Sequence, residues 1–159
     1  MLNSIYHGEK SQSSPLIVLH GLFGSANNWN SFARTMSNQR PVICVDLRNH
    51  GNSPWHSTHS YDDLATDVAM MLDQPADIIG HSMGGKAAMV LALRYPNLVN
   101  KLIVADISPI RYNYSQISII NTLLAIDLNK TESRAQVILQ MDAIEPDLRA
   151  FLAHSINIR

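Results

Sequence analysis

A serine enclosed by glycines is the residue in this sequence with the clearest chemical potential. Ser82 lies in the run Gly80-His81-Ser82-Met83-Gly84-Gly85, after an apolar stretch and before a helical pattern. A Gly-x-Ser-x-Gly sequence between a strand and a helix is typical of a nucleophile elbow, a sharp turn that exposes the serine hydroxyl for attack on an acyl carbonyl. Gly80 and Gly84 carry no Cβ, so strand and helix can pack closely around the serine. For the pentapeptide alone, an ordinary glycine-rich turn is the alternative interpretation.

Two backbone amides are candidates for the donors that stabilise negative charge on the attacked carbonyl oxygen. One is the N–H of Met83, directly after the serine. The other belongs to the loop His20-Gly21-Leu22-Phe23, which follows an apolar strand, and Leu22 is the preferred residue. We expect Gly21 to let this loop fold close to the serine and His20 to brace it. A plain strand–helix turn is the alternative for the loop.

Asp106 is the candidate for the acid that orients a catalytic base, because it ends the strand predicted after the elbow helix. A helix cap and an ion pair with Arg111 are its structural alternatives. Asp46 ends another strand, but we interpret it as closing a turn with residues 48–51. All these residues come at the carboxyl ends of predicted strands, the edge at which parallel sheets bind ligands.

None of the seven histidines is predicted to be the general base. The chain order that accompanies such an elbow is serine, acid, histidine. Only His154 follows Asp106, and it lies in an amphipathic helical pattern, where a solvated position is expected. His81 belongs to the elbow, and its side chain is expected to point away from the attack position and to support packing. His20 is assigned to the loop over residues 20–23, and His7 lies near the terminus. Surface positions are expected for His50, His56 and His59.

The bulk composition excludes several classes of protein. The 159 residues are 46% hydrophobic and 16% charged, which indicates a packed globular protein. The 12 basic and 13 acidic residues form no basic run, so no nucleic-acid partner is predicted. Cys44 is the single cysteine and stands in an apolar run, and no disulfide, metal site or cofactor is predicted. Without a signal segment or an apolar run of membrane-spanning length, we expect a cytoplasmic protein with no membrane span.

Strand and helix patterns alternate up to residue 109 and then change. Short apolar strands are predicted at 2–7, 15–19, 41–45, 77–79 and 101–106. The first of them has the least distinct pattern, and a polar connection at 10–14 separates it from the second. Three amphipathic helical patterns then follow one another, at 117–128, 135–141 and 146–152. We therefore predict a mostly parallel, doubly wound α/β core over residues 1–109 and a helical cap, or lid, over residues 110–159.

Four segments, in this order and spacing, resemble the α/β-hydrolase superfamily. They are Val18-Leu19-His20-Gly21-Leu22-Phe23-Gly24-Ser25, Asp46-Leu47-Arg48-Asn49-His50-Gly51-Asn52-Ser53, Gly80-His81-Ser82-Met83-Gly84-Gly85-Lys86-Ala87 and Ala105-Asp106-Ile107-Ser108-Pro109. The Gly-Lys-Ala continuation of the elbow and the Asp-Ile-Ser-Pro segment are most similar to the YbfF-type bacterial esterases. The resemblance covers the whole chain, more loosely across the cap.

This resemblance implies a serine hydrolase of short acyl esters and acyl-CoA thioesters, with Ser82 as nucleophile and Asp106 as acid. In that group two more strand–helix units follow the cap and carry the catalytic histidine. Two such units with their loops need roughly 80 to 100 residues. We interpret the chain as a C-terminally truncated member from which these units and the histidine are missing. The strand ending at Asp106 is then an open sheet edge, and we expect homo-oligomers through that edge or through the cap.

Two alternatives stay open. In the first, the chain is an inactive remnant that binds an acyl ligand or serves as an association module. In the second, it has the same fold but catalyses another reaction, as a C–C bond hydrolase or a cofactor-free perhydrolase. Dehalogenase and epoxide hydrolase chemistry is not expected, because those relatives have aspartate at the position of Ser82.

Overall fold

A computed structural model of the protein describes residues 1–9, 13–113, 115–156 and 158. The predicted polar connection at 10–14 falls mostly outside these residues. The chain divides into two compact units, residues 1–109 and residues 110–159. The first unit carries a sheet, and the second is helical.

The first unit is built around a five-stranded sheet. In chain order the strands are β1 (Ser4–His7), β2 (Leu16–Leu19), β3 (Val42–Val45), β4 (Ala76–His81) and β5 (Val99–Ala105). Their order across the sheet is β1-β3-β2-β4-β5. Only β1 runs antiparallel to its neighbour. The prediction of a mostly parallel sheet is confirmed.

Three helices accompany this sheet: α1 (Asn30–Met36), α2 (Tyr61–Met71) and α3 (Met83–Arg94). Short 3-10 helices precede α1 at Ala26–Trp29 and follow α3 at Pro96–Leu98. The predicted capping box opens α2, because the Ser60 hydroxyl accepts the Asp63 N–H and the Asp63 carboxylate accepts the Ser60 N–H.

Successive side chains of the central strand β2 point to opposite faces of the sheet, and both faces are covered there. On one face Ile17 and Leu19 of β2 pack with apolar residues of α2 and α3. On the other face Leu16 and Val18 pack with Ala33 of α1. Helices on both faces make the core doubly wound, as predicted.

β5 forms one edge of this sheet. Every residue of β2 is buried, whereas three residues of β5 are exposed, and Ile103 among them is 56% exposed. Among the described residues, β4 is the only strand that pairs with β5. The backbone groups on its other side therefore have no strand partner in this part of the chain.

The second unit contains α4 (Ile117–Leu124), α5 (Arg134–Leu139) and α6 (Pro146–Ala153). The first helical pattern was predicted to reach Leu128, but α4 ends at Leu124 and a separate 3-10 helix, Leu128–Lys130, begins there. The Asp127 carboxylate accepts the Asn129 N–H, which caps this new turn. In the ranges that the structure describes, no helix is both long and apolar enough to span a bilayer.

Candidate active site

Ser82 lies in the turn between β4 and α3. Its backbone has φ 50° and ψ −116°, a conformation that residues with a Cβ rarely adopt. The Ser82 N–H donates to the Ala105 carbonyl at 3.0 Å, and the Lys86 N–H donates to the Ser82 carbonyl at 3.1 Å. These bonds hold the strained residue between the end of β5 and the first turn of α3, in the geometry of a nucleophile elbow.

Two glycines beside Ser82 allow α3 to touch the strands. A Cβ on Gly80 would lie 2.4 Å from the Gly84 carbonyl oxygen. A Cβ on Gly84 would lie 2.5 Å from the His20 carbonyl oxygen and 2.6 Å from that of Leu19. The contacting groups are backbone atoms of packed elements, which cannot rotate aside as a side chain can. The close approach of α3 to β2 and β4 therefore requires glycine at both positions.

The loop over residues 20–24 packs directly against the elbow. A Cβ on Gly21 would lie 3.3 Å from the Ser82 Cβ and 2.9 Å from His81 Nδ1. The Gly24 N–H donates to the Gly21 carbonyl at 3.0 Å, and Phe23 adopts φ 63°. Leu22 directly follows Gly21 in this turn, just as Met83 directly follows Ser82. Both candidate donor amides thus belong to residues next to the contact between loop and elbow.

His20 is 1% exposed, and both nitrogens of its ring are hydrogen-bonded. Nδ1 lies 2.8 Å from the Gly21 carbonyl oxygen, and Nε2 lies 3.0 Å from the Leu47 nitrogen. Because a carbonyl accepts and an N–H donates, these partners assign a neutral imidazole with the proton on Nδ1. Burial lowers the pKa of His20 from 6.5 to about 4, against the opposing effect of the Gly21 hydrogen bond. The ring therefore stays neutral at pH 7.

Asp46 is 1% exposed, and its carboxylate accepts three hydrogen bonds. Oδ1 accepts the Ala26 N–H at 2.7 Å, and Oδ2 accepts the Asn52 N–H at 3.0 Å and the Asn3 side-chain amide at 2.8 Å. The bond to Asn52 closes the loop one residue beyond the turn over residues 48–51 that the sequence predicts. Ala26 and Asn3 lie 20 and 43 residues away along the chain, so no local pattern could have predicted those partners.

The loop that begins with Asp46 is fastened to α2 by an arginine that sequence analysis did not single out. Arg48 Nε and Nη2 contact the two Asp67 carboxylate oxygens at 2.6 and 2.8 Å. Arg48 Nη1 lies 3.4 Å from Asp63 Oδ1. The hydrogen bond with Asp67 raises the pKa of Arg48 above its ordinary value. A two-point contact of this kind fixes the direction of both side chains.

Asp106 directly follows β5, at the same carboxyl end of the parallel strands as Ser82. It has φ 55°, and its side chain is 90% exposed. Asp106 Oδ2 lies 3.8 Å from His81 Nε2, and the His81 ring lies 6.2 Å from the Trp29 ring between centroids. The structure thus brings the elbow, the loop over residues 20–24 and Asp106 together at the carboxyl ends of the strands, with His81 among them.

No histidine side chain among the described residues hydrogen-bonds to the Ser82 hydroxyl. His7 Nε2 is bonded to an asparagine side chain, and His50 Nδ1 is bonded to the Arg48 carbonyl. His154 is exposed at the end of α6.

A cavity of about 240 Å³ lies elsewhere in the first unit. Its lining includes Pro15 and Pro41, which directly precede β2 and β3, and Met71 at the end of α2. Ser82 follows the carboxyl end of β4, and β2, β3 and β4 run parallel. The cavity is therefore at the opposite end of the strands from the elbow and is not assigned to the acyl site.

Comparison with known sequences identifies the family. A sequence profile described as the alpha/beta hydrolase fold matches residues 14–133. The chain belongs to the α/β-hydrolase family. The resemblance inferred from the sequence motifs is thereby confirmed.

Three similar proteins are described as an esterase or an esterase/lipase. A putative esterase/lipase of Haemophilus influenzae is 35% identical over 99% of this chain and 58% of its own length. Esterase YbfF of Escherichia coli is 36% identical over 90% of this chain and 59% of its own length. A solved structure of a marine microorganism esterase is 38% identical with a TM-score of 0.91, covering 98% of this chain and 64% of the other. This α/β-hydrolase chain therefore spans less than two thirds of these relatives.

Proposed function

We propose that this α/β-hydrolase chain carries the nucleophile half of a serine hydrolase that cleaves carboxylic ester or acyl-CoA thioester bonds. One observation carries the proposal: Ser82 has φ 50° in a turn closed by glycine contacts, with Gly21 of the neighbouring loop packed on it. A half-buried hydroxyl held in a strained turn beside backbone N–H groups suits acyl transfer.

The residues of the site take separate roles in this proposal. The Ser82 hydroxyl attacks the acyl carbonyl carbon and gives its proton to a base. The N–H groups of Met83 and Leu22 donate to the carbonyl oxygen as it becomes negative. The leaving alcohol or thiol departs with a proton, the acyl group stays on Ser82, and water then hydrolyses the acyl-enzyme. Asp106 orients the histidine that serves as base.

We propose that this histidine lies outside the 159 residues, so that the triad is incomplete in them. His20 is neutral and bonded through both nitrogens, which leaves it no free nitrogen for proton transfer. His81 Nε2 is turned towards Asp106, and its ring lies near Trp29. More than a third of the length of each of these esterase relatives lies outside the part that this sequence matches.

Exogenous imidazole in place of the missing base tests the proposal. The chain is incubated with p-nitrophenyl acetate, with and without imidazole, and protein-bound acetyl is located by intact-mass and peptide mass spectrometry. We expect acetylation at Ser82 that rises with imidazole, because an activated hydroxyl needs a proton acceptor. Bound acetyl is the readout, since imidazole hydrolyses the ester by itself.

The matched variants are Ser82→Ala and Ser31→Ala, the second an exposed serine of α1. Acetylation is expected to be lost only in Ser82→Ala. A folded chain that is not acetylated at Ser82 with imidazole present would contradict the hydrolase proposal and favour the inactive binding module.

Self-association through the β5 edge is a further part of the proposal. Ile103 is 56% exposed there, and unpaired strand edges attract other strands. In sedimentation velocity we expect the weight-average mass to increase with protein concentration. Ile103→Lys is expected to shift the chain towards monomer, while Met70→Lys, at an exposed helical position, should not. A monomer at all concentrations would refute this part.

A further inference from the structure

We propose that Asp46 is a positioning residue of the oxyanion hole, because its carboxylate and the neighbouring Leu47 N–H hold the two ends of the loop over residues 20–26. This inference rests on the proposed function, since it assigns the Leu22 N–H of that loop to the attacked carbonyl oxygen. Asp46 itself touches neither Ser82 nor substrate in this assignment.

The two anchors come from consecutive residues after β3. At the start of the loop, the Leu47 N–H donates to His20 Nε2 at 3.0 Å. At its end, the Ala26 N–H donates to Asp46 Oδ1 at 2.7 Å. Between the anchors, the loop contains the Gly24 to Gly21 turn bond and the positive φ of Phe23. The path of the Leu22 backbone therefore depends on both ends being held at the correct separation.

The carboxylate is itself fixed from the other side. Oδ2 accepts from Asn3 and Asn52, and a Cβ on Gly51 would lie 2.3 Å from the Asp46 Cγ. Among the described residues, no cation forms an ion pair with Asp46. Its buried charge is therefore stabilised by N–H donors, and hydrogen bonds to an ionised acceptor are short and directional. Such an acceptor suits the placement of a backbone amide.

A hydrogen-bonded aspartate such as Asp46 can also contribute to stability alone. Asp77 provides the matched control for this alternative. Asp77 Oδ2 accepts from Arg40 Nη1 at 2.6 Å, and its side chain is 14% exposed. It lies near the start of β4, at the other end of the strand from Ser82. Asp77→Asn and Asp46→Asn each remove a charge from a hydrogen-bonded carboxylate, but only Asp46 holds the loop.

The experiment measures the rate of Ser82 acetylation by p-nitrophenyl acetate at fixed imidazole, as a function of ester concentration, on the folded fraction defined by circular dichroism. Asp46→Asn is expected to lower the saturating rate about 10- to 100-fold, because small misplacement of a reacting geometry has effects of that size. The half-saturating concentration should change little. Asp77→Asn is expected to keep the saturating rate within about twofold of the unmodified chain.

Two measurements keep the inference testable if Asp46→Asn does not fold. Ala26→Pro removes the N–H that donates to Asp46, and its folded fraction should show a lower rate, as Asp46→Asn does. In the unmodified chain, the Ala26 amide should be protected from hydrogen exchange. Unprotected Ala26, or normal acetylation in a folded Asp46 or Ala26 variant, overturns the positioning role. Absence of Ser82 acetylation in the unmodified chain instead overturns the proposed function.

Discussion

Replacing Gly84 with alanine is expected to lower the free energy of unfolding by about 3 kcal/mol or more. The new Cβ would stand 2.5 to 2.7 Å from three backbone atoms of Leu19 and His20, at the end of the central strand β2. Relief requires α3 to move away from β2, which opens the core face that both elements share. Alanine's higher helix propensity offsets only about 1 kcal/mol of this loss.

Urea unfolding followed by circular dichroism measures this effect, and Gly24→Ala is its control. A Cβ on Gly24 would meet atoms at 3.0, 3.1 and 3.3 Å, one of them in the side chain of Asn28, so small shifts relieve it. We expect the Gly24 variant to lose less than half as much stability as the Gly84 variant. Equal losses would show that the contact between α3 and β2 yields more easily than its geometry indicates.

Acidification from pH 7.5 to pH 5 is expected to lower the free energy of unfolding by about 2 kcal/mol through His20 alone, and by about 3 kcal/mol over the full titration. The pKa of His20 is about 4 in the folded protein and 6.5 as its ordinary value. Between these values the unfolded chain binds the proton and the folded chain does not, so stability falls as pH falls. Protonation at Nε2 would also remove the acceptor for the Leu47 N–H.

His20→Gln isolates this effect, because Gln does not titrate and its side-chain oxygen can accept the Leu47 N–H. The variant should be less stable at pH 7.5 but should lose about 2 kcal/mol less than the unmodified chain between pH 7.5 and pH 5. His50, Asp46 and His81 also act electrostatically on His20, and they are common to both proteins. His56→Gln, at an exposed position, should keep the unmodified pH dependence. An unchanged slope in His20→Gln would contradict the assigned neutral state.

The sequence allowed prediction of those features that are encoded locally. The sharp turn at Ser82 was predictable because Gly80, Ser82 and Gly84 lie within five positions, between a strand pattern and a helix pattern. The doubly wound sheet was predictable because its strands read as short apolar runs. The end of α4 was missed, because the apolar spacing continued to Leu128 while the hydrogen bonds of Asp127 began a new turn.

The support of the candidate site could not be predicted in the same way. Asp46 joins Asn3 and Ala26, and Arg48 joins Asp67, across separations that only the folded topology creates. The neutral state of His20 likewise depends on its burial and on Leu47, 27 residues later. A local pattern marks a residue that can act, whereas distant contacts decide its geometry and charge.

The reactivity of the Cys44 thiol can report on opening of the sheet without any added label. This residue is the single cysteine of the sequence, lies in β3 with no exposure, and has a pKa raised by burial to about 11. A thiol reagent added for a short pulse therefore modifies molecules whose sheet has opened and spares closed ones. The population of open molecules in each variant can thus be counted by mass, in a mixture and without an added dye.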